Sequence, residues 1–329
     1  MKDIVKDLEV SQLADLLLAG SYNGLNARLR ELSFDWETKG IKAEGNFYYL
    51  SFKDGVPSTS EFVEFVYHKI VPFCLPRKYV KDCIQKLTET GDERYFFEAA
   101  DKAKQLFIKA KKKLKRSGEP GEVILFILLE GFLQAPRIVS KMDLKTNRNV
   151  EVFGSDAIHV KYDLDNQLLI LYWGEAKLYQ NLNGALERIC LSIKGFHTPD
   201  EDGEEPRKRD IYLVQDHSDI DDDALKEAIV QFFDPYSEYS NQVREIHACL
   251  AVWDWELYKK IEGTPPENIE ALFIERYKDK IETSCMTFLD KTKEHSIDNL
   301  YFHLFLLPLE DVAEFRKRFF QKIGIADYD

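Results

Sequence analysis

Three residues near the middle of this 329-residue chain have types and spacing that could act together: Asp156, Glu175 and Lys177. Glu175 and Lys177 are two residues apart at the end of an apolar run, so on a β-strand both side chains point to one face of a sheet. Asp156 stands at the start of the preceding predicted strand and lies beside Glu175 if the two strands pair in register. The sequence therefore predicts two carboxylates and one ammonium group at one end of a sheet.

Two carboxylates held this close repel each other, so without a cation one of them stays protonated. A divalent ion removes the conflict, and hard oxygen ligands of this kind suit Mg²⁺ or Mn²⁺ with water in the remaining positions. A lysine beside such an ion can stabilise charge developing on a phosphate or orient an attacking water. This combination of residues is typical of a site that cleaves phosphodiesters.

The tripeptide acid-x-Lys has little specificity by itself, because Glu37-Thr38-Lys39 and Asp143-Leu144-Lys145 also match it. What distinguishes Glu175-Ala176-Lys177 is its place at the end of a buried strand, with Asp156 at the start of the paired strand. The alternative interpretation is a surface ion pair that closes a strand and has no chemical role.

The elements that must position these residues are a hairpin and two flanking helices. Residues 156–162, a polar turn at 163–166 and the apolar run 168–173 predict a β-hairpin whose second strand is buried on both faces. Apolar residues at helical spacing over 181–196 predict a crossover helix behind the sheet. The segments 137–142 and 211–214 read as a first and a fourth core strand, the latter reached by a right-handed crossover.

The motifs Gly154-x-Asp156 and Trp173-Gly174-Glu175-Ala176-Lys177 resemble the PD-(D/E)xK nuclease superfamily. In that superfamily the core is a helix, a three-stranded meander, a helix and a strand, with Asp on the second strand and (D/E)xK on the third. The larger pattern, which adds Gly121-Glu122, Glu130 and Ser140-Lys141, resembles the HamA family. That family is the nuclease subunit of the Hachiman anti-phage defence system, which works with a superfamily 2 helicase. The motif-bearing part is about 121–216.

The resemblance implies a further acid on the helix that precedes the hairpin. Glu122 is preferred and Glu130 is second, although Glu122 at a helix start could merely interact with the helix dipole. Both acids stand on an otherwise apolar helix, so at least one must be exposed, paired or metal-associated. Lys141 ends the predicted first strand, where it could reach phosphate or simply be solvated.

The formal net charge of −13 argues against a free-standing DNA-binding protein, because duplex affinity comes mostly from Lys and Arg contacts with phosphates. Residues 101–116 hold eight basic residues against one acid, which predicts either a solvated helix face or a contact with nucleic acid or a partner. No apolar run is long enough to span a membrane. Five scattered cysteines with no CxxC pattern suit buried thiols in a reducing cytoplasm.

The sequence thus predicts an α/β chain with a restriction-endonuclease-like mixed sheet core flanked by helices. An N-terminal α/β accessory region spans 1–95, and the nuclease core with C-terminal strand–helix extensions spans 96–329. By the resemblance, the function is Mg²⁺- or Mn²⁺-dependent DNA endonuclease activity, as the effector of a cytoplasmic helicase–nuclease complex.

In this interpretation Asp156 and Glu175 hold the metal with the Ala176 carbonyl, Lys177 stabilises the transition state, and Glu122 holds a water or a second ion. A stand-alone restriction-type nuclease is one alternative, but it needs a DNA-reading domain for which no pattern is present. A catalytically inactive nuclease-fold scaffold is the other, and such a protein usually loses one of the three core residues.

Overall fold

The computed structural model describes residues 17–18, 22–114, 119–146, 154–261 and 263–325. Its strands are β1 Leu29–Leu32, β2 Lys42–Leu50, β3 Phe52–Lys53, β4 Val56–Pro57, β5 Ala157–Asp163, β6 Leu168–Tyr179, β7 Val243–Asp254 and β8 Tyr301–Leu309. Its α-helices are α1 Thr59–His68, α2 Ile70–Cys74, α3 Arg77–Thr90, α4 Arg94–Leu114, α5 Glu119–Gly131, α6 Lys141–Thr146, α7 Leu182–Phe196, α8 Pro206–His217, α9 Asp223–Gln231, α10 Leu257–Lys260, α11 Pro266–Glu294 and α12 Val312–Ile323. A short 3₁₀-helix covers Glu238–Gln242.

Six of the strands form one mixed sheet in the order β1-β2-β8-β7-β6-β5. The four inner strands are parallel to one another, and each edge strand is antiparallel to its neighbour. Helices flank this sheet, so the predicted mixed α/β architecture is confirmed.

The hairpin that carries the chemical residues is formed by β5 and β6, as predicted. Its register pairs Ala157 with Gly174 and Asp163 with Leu168. The Asp163 carboxylate closes the turn by accepting hydrogen bonds from the backbone of two following residues, each at 3.1 Å. β6 lies between β5 and β7, which explains why its apolar run is buried.

Helices pack closely on both faces of β6. On one face, α5 approaches at Gly121, where a Cβ atom would lie 2.5 Å from Leu178 Cδ1. On the same face, a Cβ at Gly174 would lie 2.9 Å from Leu125 Cδ2. The opposite face is covered by α7, which begins where the Asn181 side chain accepts a hydrogen bond from Gly184 N at 2.7 Å.

The predicted strand at 211–214 is wrong, because this segment lies inside helix α8. Pro206 begins that helix, where a missing N–H costs nothing. The buried residues of α8 are Asp210, Leu213 and Val214, which have helical rather than alternating spacing. The strand that follows the crossover and pairs in parallel with β6 is β7.

The predicted first strand at 137–142 is also wrong. Arg137 and Val139 make only isolated bridges, to His159 and Ser218, and Lys141 already begins the short helix α6. The extended segment is too short for a ladder because Ser140 and Lys141 turn inward. Ser140 Oγ donates to the Cys74 carbonyl at 3.1 Å, and Lys141 is buried.

Strands β1 and β2 belong to the same sheet as β7 and β8, since β1 pairs with β2 and β2 pairs in parallel with β8. The division of the chain at residue 95 stays a prediction. The basic segment 101–116 is helical up to Leu114, and residues 115–116 lie outside the described part of the chain, as do the side chains of 110–114. No helix in the described ranges is both long and apolar enough to cross a bilayer.

Candidate active site

Asp156 lies one residue before β5, and its N–H bonds to the same residue of β6 that pairs with Ala157. Its N–H donates to the Gly174 carbonyl at 2.7 Å. Its carboxylate Oδ2 accepts from the Ala176 N–H at 2.9 Å, where a backbone carbonyl would be expected in a longer strand. The side chain of Asp156 is therefore held against the edge of β6 beside Glu175. The structure thus brings these two acids together, as the sequence predicted.

Glu175 and Lys177 project from the same face of β6, towards α7. The Lys177 ammonium group forms an ion pair with Glu175 Oε1, and the Ser192 hydroxyl on α7 also hydrogen-bonds to Glu175. Glu175 is buried, whereas the Lys177 side chain is 22% exposed. The Lys177 ammonium group is therefore the more accessible member of this ion pair.

The charges of this cluster are not balanced. Burial, and then the nearby Asp156 charge, raise the pKa of Glu175 to about 7, although Lys177 and Ser192 act in the opposite direction. Burial lowers the pKa of Lys177, but the charges of Glu175 and Asp156 outweigh burial and raise it overall. One ammonium group therefore serves two carboxylates, and near neutral pH Glu175 binds a proton part of the time.

A cavity of about 300 Å³ opens beside the three residues. Its wall includes Asp156, Glu175, Lys177 and Ser192, with His247 on β7 at the far side. His247 Nε2 lies 2.9 Å from the Nε2 atom of another histidine, His197. Burial lowers the pKa of His247 to about 3, so this imidazole is neutral.

The donor set fits a hard divalent cation. A strand residue points its N–H and C=O to the same side, so the Ala176 carbonyl faces the edge that its N–H shares with Asp156. Across the residues that the structure describes, no cluster of three or more His, Cys, Asp or Glu side chains has the arrangement of a metal site. The protein groups that could hold an ion here are two carboxylates and one carbonyl, a set that would suit Mg²⁺ or Mn²⁺ with retained waters better than zinc.

The two candidate acids of the core helix lie in different surroundings. Glu122 is buried near the start of α5, next to Gly121, which packs on the face of β6 opposite to Glu175 and Lys177. Glu122 is not part of the cavity wall. Glu130, two turns further along the helix, is fully buried and accepts a hydrogen bond from Tyr22 OH at 2.7 Å.

Glu130 belongs to a buried ion network that is separate from the candidate site. Arg77 Nη2 lies 3.4 Å from Glu130, and Arg77 Nη1 lies 3.3 Å from Asp219. Arg137 Nη2 lies 2.6 Å from Asp219, and the Arg137 N–H donates to Glu130 at 3.0 Å. Two guanidinium groups thus compensate two carboxylates, which accounts for the Glu130 charge without a metal ion.

Lys141 is neither solvated nor aimed at the cavity, contrary to both sequence interpretations. Its Nζ atom is buried and lies 2.8 Å from both carboxylate oxygens of Asp210. Sequence reasoning also missed Ser192, although it stands on the inner face of α7, three residues after Ile189. A hydroxyl among the apolar residues of a predicted helix was the available signal.

A comparison with known protein families agrees with this geometry. The family model described as HamA matches residues 28–323. The chain belongs to the HamA family. No curated protein matches the chain. Membership of the HamA family supports a nuclease-type role within a multi-subunit defence system, and the match includes Asp156, Glu175 and Lys177.

Proposed function

We propose that this HamA-family chain is a Mg²⁺- or Mn²⁺-dependent DNA endonuclease. The observation that carries the proposal is the convergence of Asp156, Glu175 and Lys177 beside one cavity, with two carboxylates for a single ammonium group. A surface ion pair that merely ends a strand would have no reason to bury Glu175 beside a second acid, because that arrangement costs free energy.

The order of the residues supports placement in the PD-(D/E)xK superfamily. Asp156 precedes one strand of an antiparallel pair, and Glu175-Ala176-Lys177 lies in the other strand. A helix, α5, comes before the pair, and a helix followed by a parallel strand comes after it. The isolated bridge between Arg137 and His159 of β5 stands where the superfamily has its first strand.

Each residue has a defined task in this proposal. Asp156, Glu175 and the Ala176 carbonyl hold the divalent ion. When bound, that ion supplies neutralisation of the carboxylate pair and Lewis-acid polarisation of the phosphodiester. The Lys177 ammonium group, which is partly exposed at the cavity, donates to a non-bridging phosphate oxygen as negative charge develops on it. Water attacks phosphorus and gives up a proton to the solvent, and the bond to the leaving oxygen breaks as that oxygen takes up a proton from the solvent.

Glu122 is proposed as the third acid, and Glu130 is a structural residue. Glu122 lies near the start of α5 and outside the cavity wall, so the task proposed for it is to orient a water or hold a second ion. Glu122→Gln should lower the cleavage rate of a folded protein. Glu130→Gln should instead lower stability, because it leaves Arg77 and Arg137 under-compensated.

We further propose that the chain acts in the cytoplasm as the effector subunit of a complex with a superfamily 2 helicase. A chain with net charge −13 attracts duplex DNA poorly, so a partner that holds the DNA explains how an acidic nuclease reaches it. HamA membership supports a multi-subunit system.

The test is plasmid cleavage by the purified chain, alone and with its co-purified helicase. Cleavage should require Mg²⁺ or Mn²⁺, stop on addition of EDTA, and be absent from Glu175→Gln and Lys177→Ala. The helicase should increase cleavage, since the chain alone should bind DNA weakly at physiological salt. Full activity in EDTA would contradict the metal site. Parent-level cleavage by Lys177→Ala would contradict the assignment of the catalytic residues.

A further inference from the structure

Ser155 precedes Asp156 in the chain. One buried ion pair, Lys141–Asp210, makes hydrogen bonds to all of the polar atoms of Ser155. The Ser155 N–H donates to Asp210 Oδ2 at 2.9 Å, and the Ser155 hydroxyl donates to the same oxygen at 2.6 Å. Lys141 Nζ donates to the Ser155 carbonyl at 2.6 Å and contacts the Ser155 hydroxyl at 3.2 Å. Side chains from two distant helices thus fix a single loop residue.

This arrangement orients the peptide unit that leads into Asp156. The Ser155 carbonyl of that unit is held by Lys141 at 2.6 Å, and the Asp156 N–H of the same unit is held by Gly174 at 2.7 Å. Because a peptide unit is planar, fixing both ends sets the orientation of the peptide to which the Asp156 Cα is attached. The Asp156 carboxylate can then meet the Ala176 N–H.

Gly154 completes the arrangement. Its φ of +100° favours glycine, and a Cβ atom there would lie 2.7 Å from Asp210 Oδ2. The Asp210 carboxylate therefore packs directly against the backbone of the loop. Asp210 is fully buried and Lys141 nearly so, and an ion pair in such a place is expensive unless its remaining hydrogen bonds are satisfied. Here Ser155 satisfies them.

We propose that Lys141 and Asp210 are positioning residues that hold Asp156 in the geometry required to bind the divalent ion. The proposal rests on the proposed function, because it assigns these residues to the metal site of that function. Neither residue touches the ion or the substrate. Their effect passes through Ser155, and outer partners of this kind typically change metal affinity by 10- to 100-fold.

The experiment measures Mn²⁺ affinity by calorimetry for the full chain and for Asp210→Asn, Lys141→Met and Asp156→Asn. The matched control is Asp219→Asn, which removes a similarly buried acid paired with arginines. In the described part of the chain, none of the ion pairs or side-chain hydrogen bonds of Asp219 reaches the Gly154–Asp156 loop. Both positioning variants should lose roughly 10- to 100-fold in Mn²⁺ affinity. Asp219→Asn should bind Mn²⁺ like the parent even where it melts at a lower temperature.

A second readout is amide hydrogen exchange at Ser155. This N–H should be strongly protected in the parent and in Asp219→Asn, and protection should fall in Asp210→Asn. If Asp210→Asn does not fold, Lys141→Met carries the test, since it removes the donor to the Ser155 carbonyl and retains Asp210. Parent-like Mn²⁺ affinity in a folded positioning variant would overturn the proposal.

The two readouts separate this proposal from the proposed function. If the parent binds no Mn²⁺ and cleaves no DNA, the metal-dependent nuclease is wrong, and the positioning of Asp156 for a metal is overturned with it. Loss of Ser155 protection would then identify the pair as a purely structural clamp. If the parent binds Mn²⁺ and the positioning variants bind it equally well, only the positioning proposal fails.

Discussion

Two groups of acids in this protein differ in their balance of charge. Glu130 and Asp219 face two guanidinium groups, from Arg77 and Arg137, so each negative charge has a positive counterpart. At the candidate site, Lys177 is the one cation that Asp156 and Glu175 share among the described residues. Burial and the Asp156 charge raise the pKa of Glu175 to about 7. The balanced network stabilises the fold. The group formed by Asp156, Glu175 and Lys177 has one positive charge fewer than it has carboxylates, so it is suited to bind a metal cation.

The largest effect should come from breaking the balanced network. Asp219→Asn leaves Arg77 and Arg137 buried without their shared carboxylate, and removal of one partner of a buried pair costs about 3–5 kcal/mol of unfolding free energy. Urea unfolding measures this loss. The neighbouring Asp221→Asn is the matched control, because its pair with exposed Lys81 contributes at most about 1 kcal/mol. Equal losses of unfolding free energy in the two variants would show that the network contributes no more to stability than an exposed ion pair does.

At the candidate site, Lys177→Ala should instead lower the rate. Removal of one preorganised donor to a developing charge typically costs about 10²–10³ in rate, or roughly 3–4 kcal/mol. The stability loss should be smaller than that of Asp219→Asn, because Glu175 can take up a proton when its cation is lost. DNA cleavage with saturating Mg²⁺ measures the rate. Lys194→Ala, which removes an exposed lysine of α7, should cleave like the parent. A Lys177→Ala protein that melts far below the parent and cleaves at the parent rate would reverse the two assignments.

The pH dependence of the unfolding free energy should reveal the unbalanced charge of the candidate site directly. Glu175 has a folded pKa raised from 4.5 to about 7, so its contribution to stability is fully present below pH 4.5 and is lost as the pH rises through 7. In metal-free protein, the unfolding free energy of the parent relative to Glu175→Gln should therefore fall by on the order of 3 kcal/mol between these pH values. Denaturant unfolding at a series of pH values measures the difference. A difference that does not vary with pH would show that the acids are already balanced.

The contrast between the two acid groups also explains what the sequence could and could not predict. The hairpin and its residues were predictable because turn chemistry at Asp163 and the two-residue strand period are local signals. The buried pairs were not, because Lys141 and Asp210 are 69 positions apart and Arg137 and Asp219 are 82 apart. The residues next to a charged residue in the sequence do not indicate which distant residue will pair with it in the fold.

The strand prediction for 211–214 was wrong for a related reason. Its Ile-Tyr-Leu-Val run has strong β-propensity, but propensity is a weak prior that tertiary context overrides. The burial of Asp210, Leu213 and Val214 fixes it as a helix, and that burial depends on Lys141 and Ser155 as partners. Helix α8, which holds the loop before Asp156, therefore could not be predicted from the sequence, for the same reason as the Lys141–Asp210 ion pair.

The smallest expected effect, and the most specific to the site, concerns the pH dependence of Mn²⁺ binding. Below pH 7 the ion must displace the proton of Glu175, so affinity should rise about tenfold per pH unit, or roughly 1.4 kcal/mol, and level off above pH 7. Calorimetry in buffers of different ionisation enthalpy should find about one proton released per ion below this value and almost none above it. Glu175→Gln should bind Mn²⁺ weakly with no such slope, while Asp219→Asn should keep the slope of the parent because its network does not include Glu175. If Glu175→Gln retains the slope, the displaced proton comes from another group, and the charge deficit at the sheet edge is not what receives the ion.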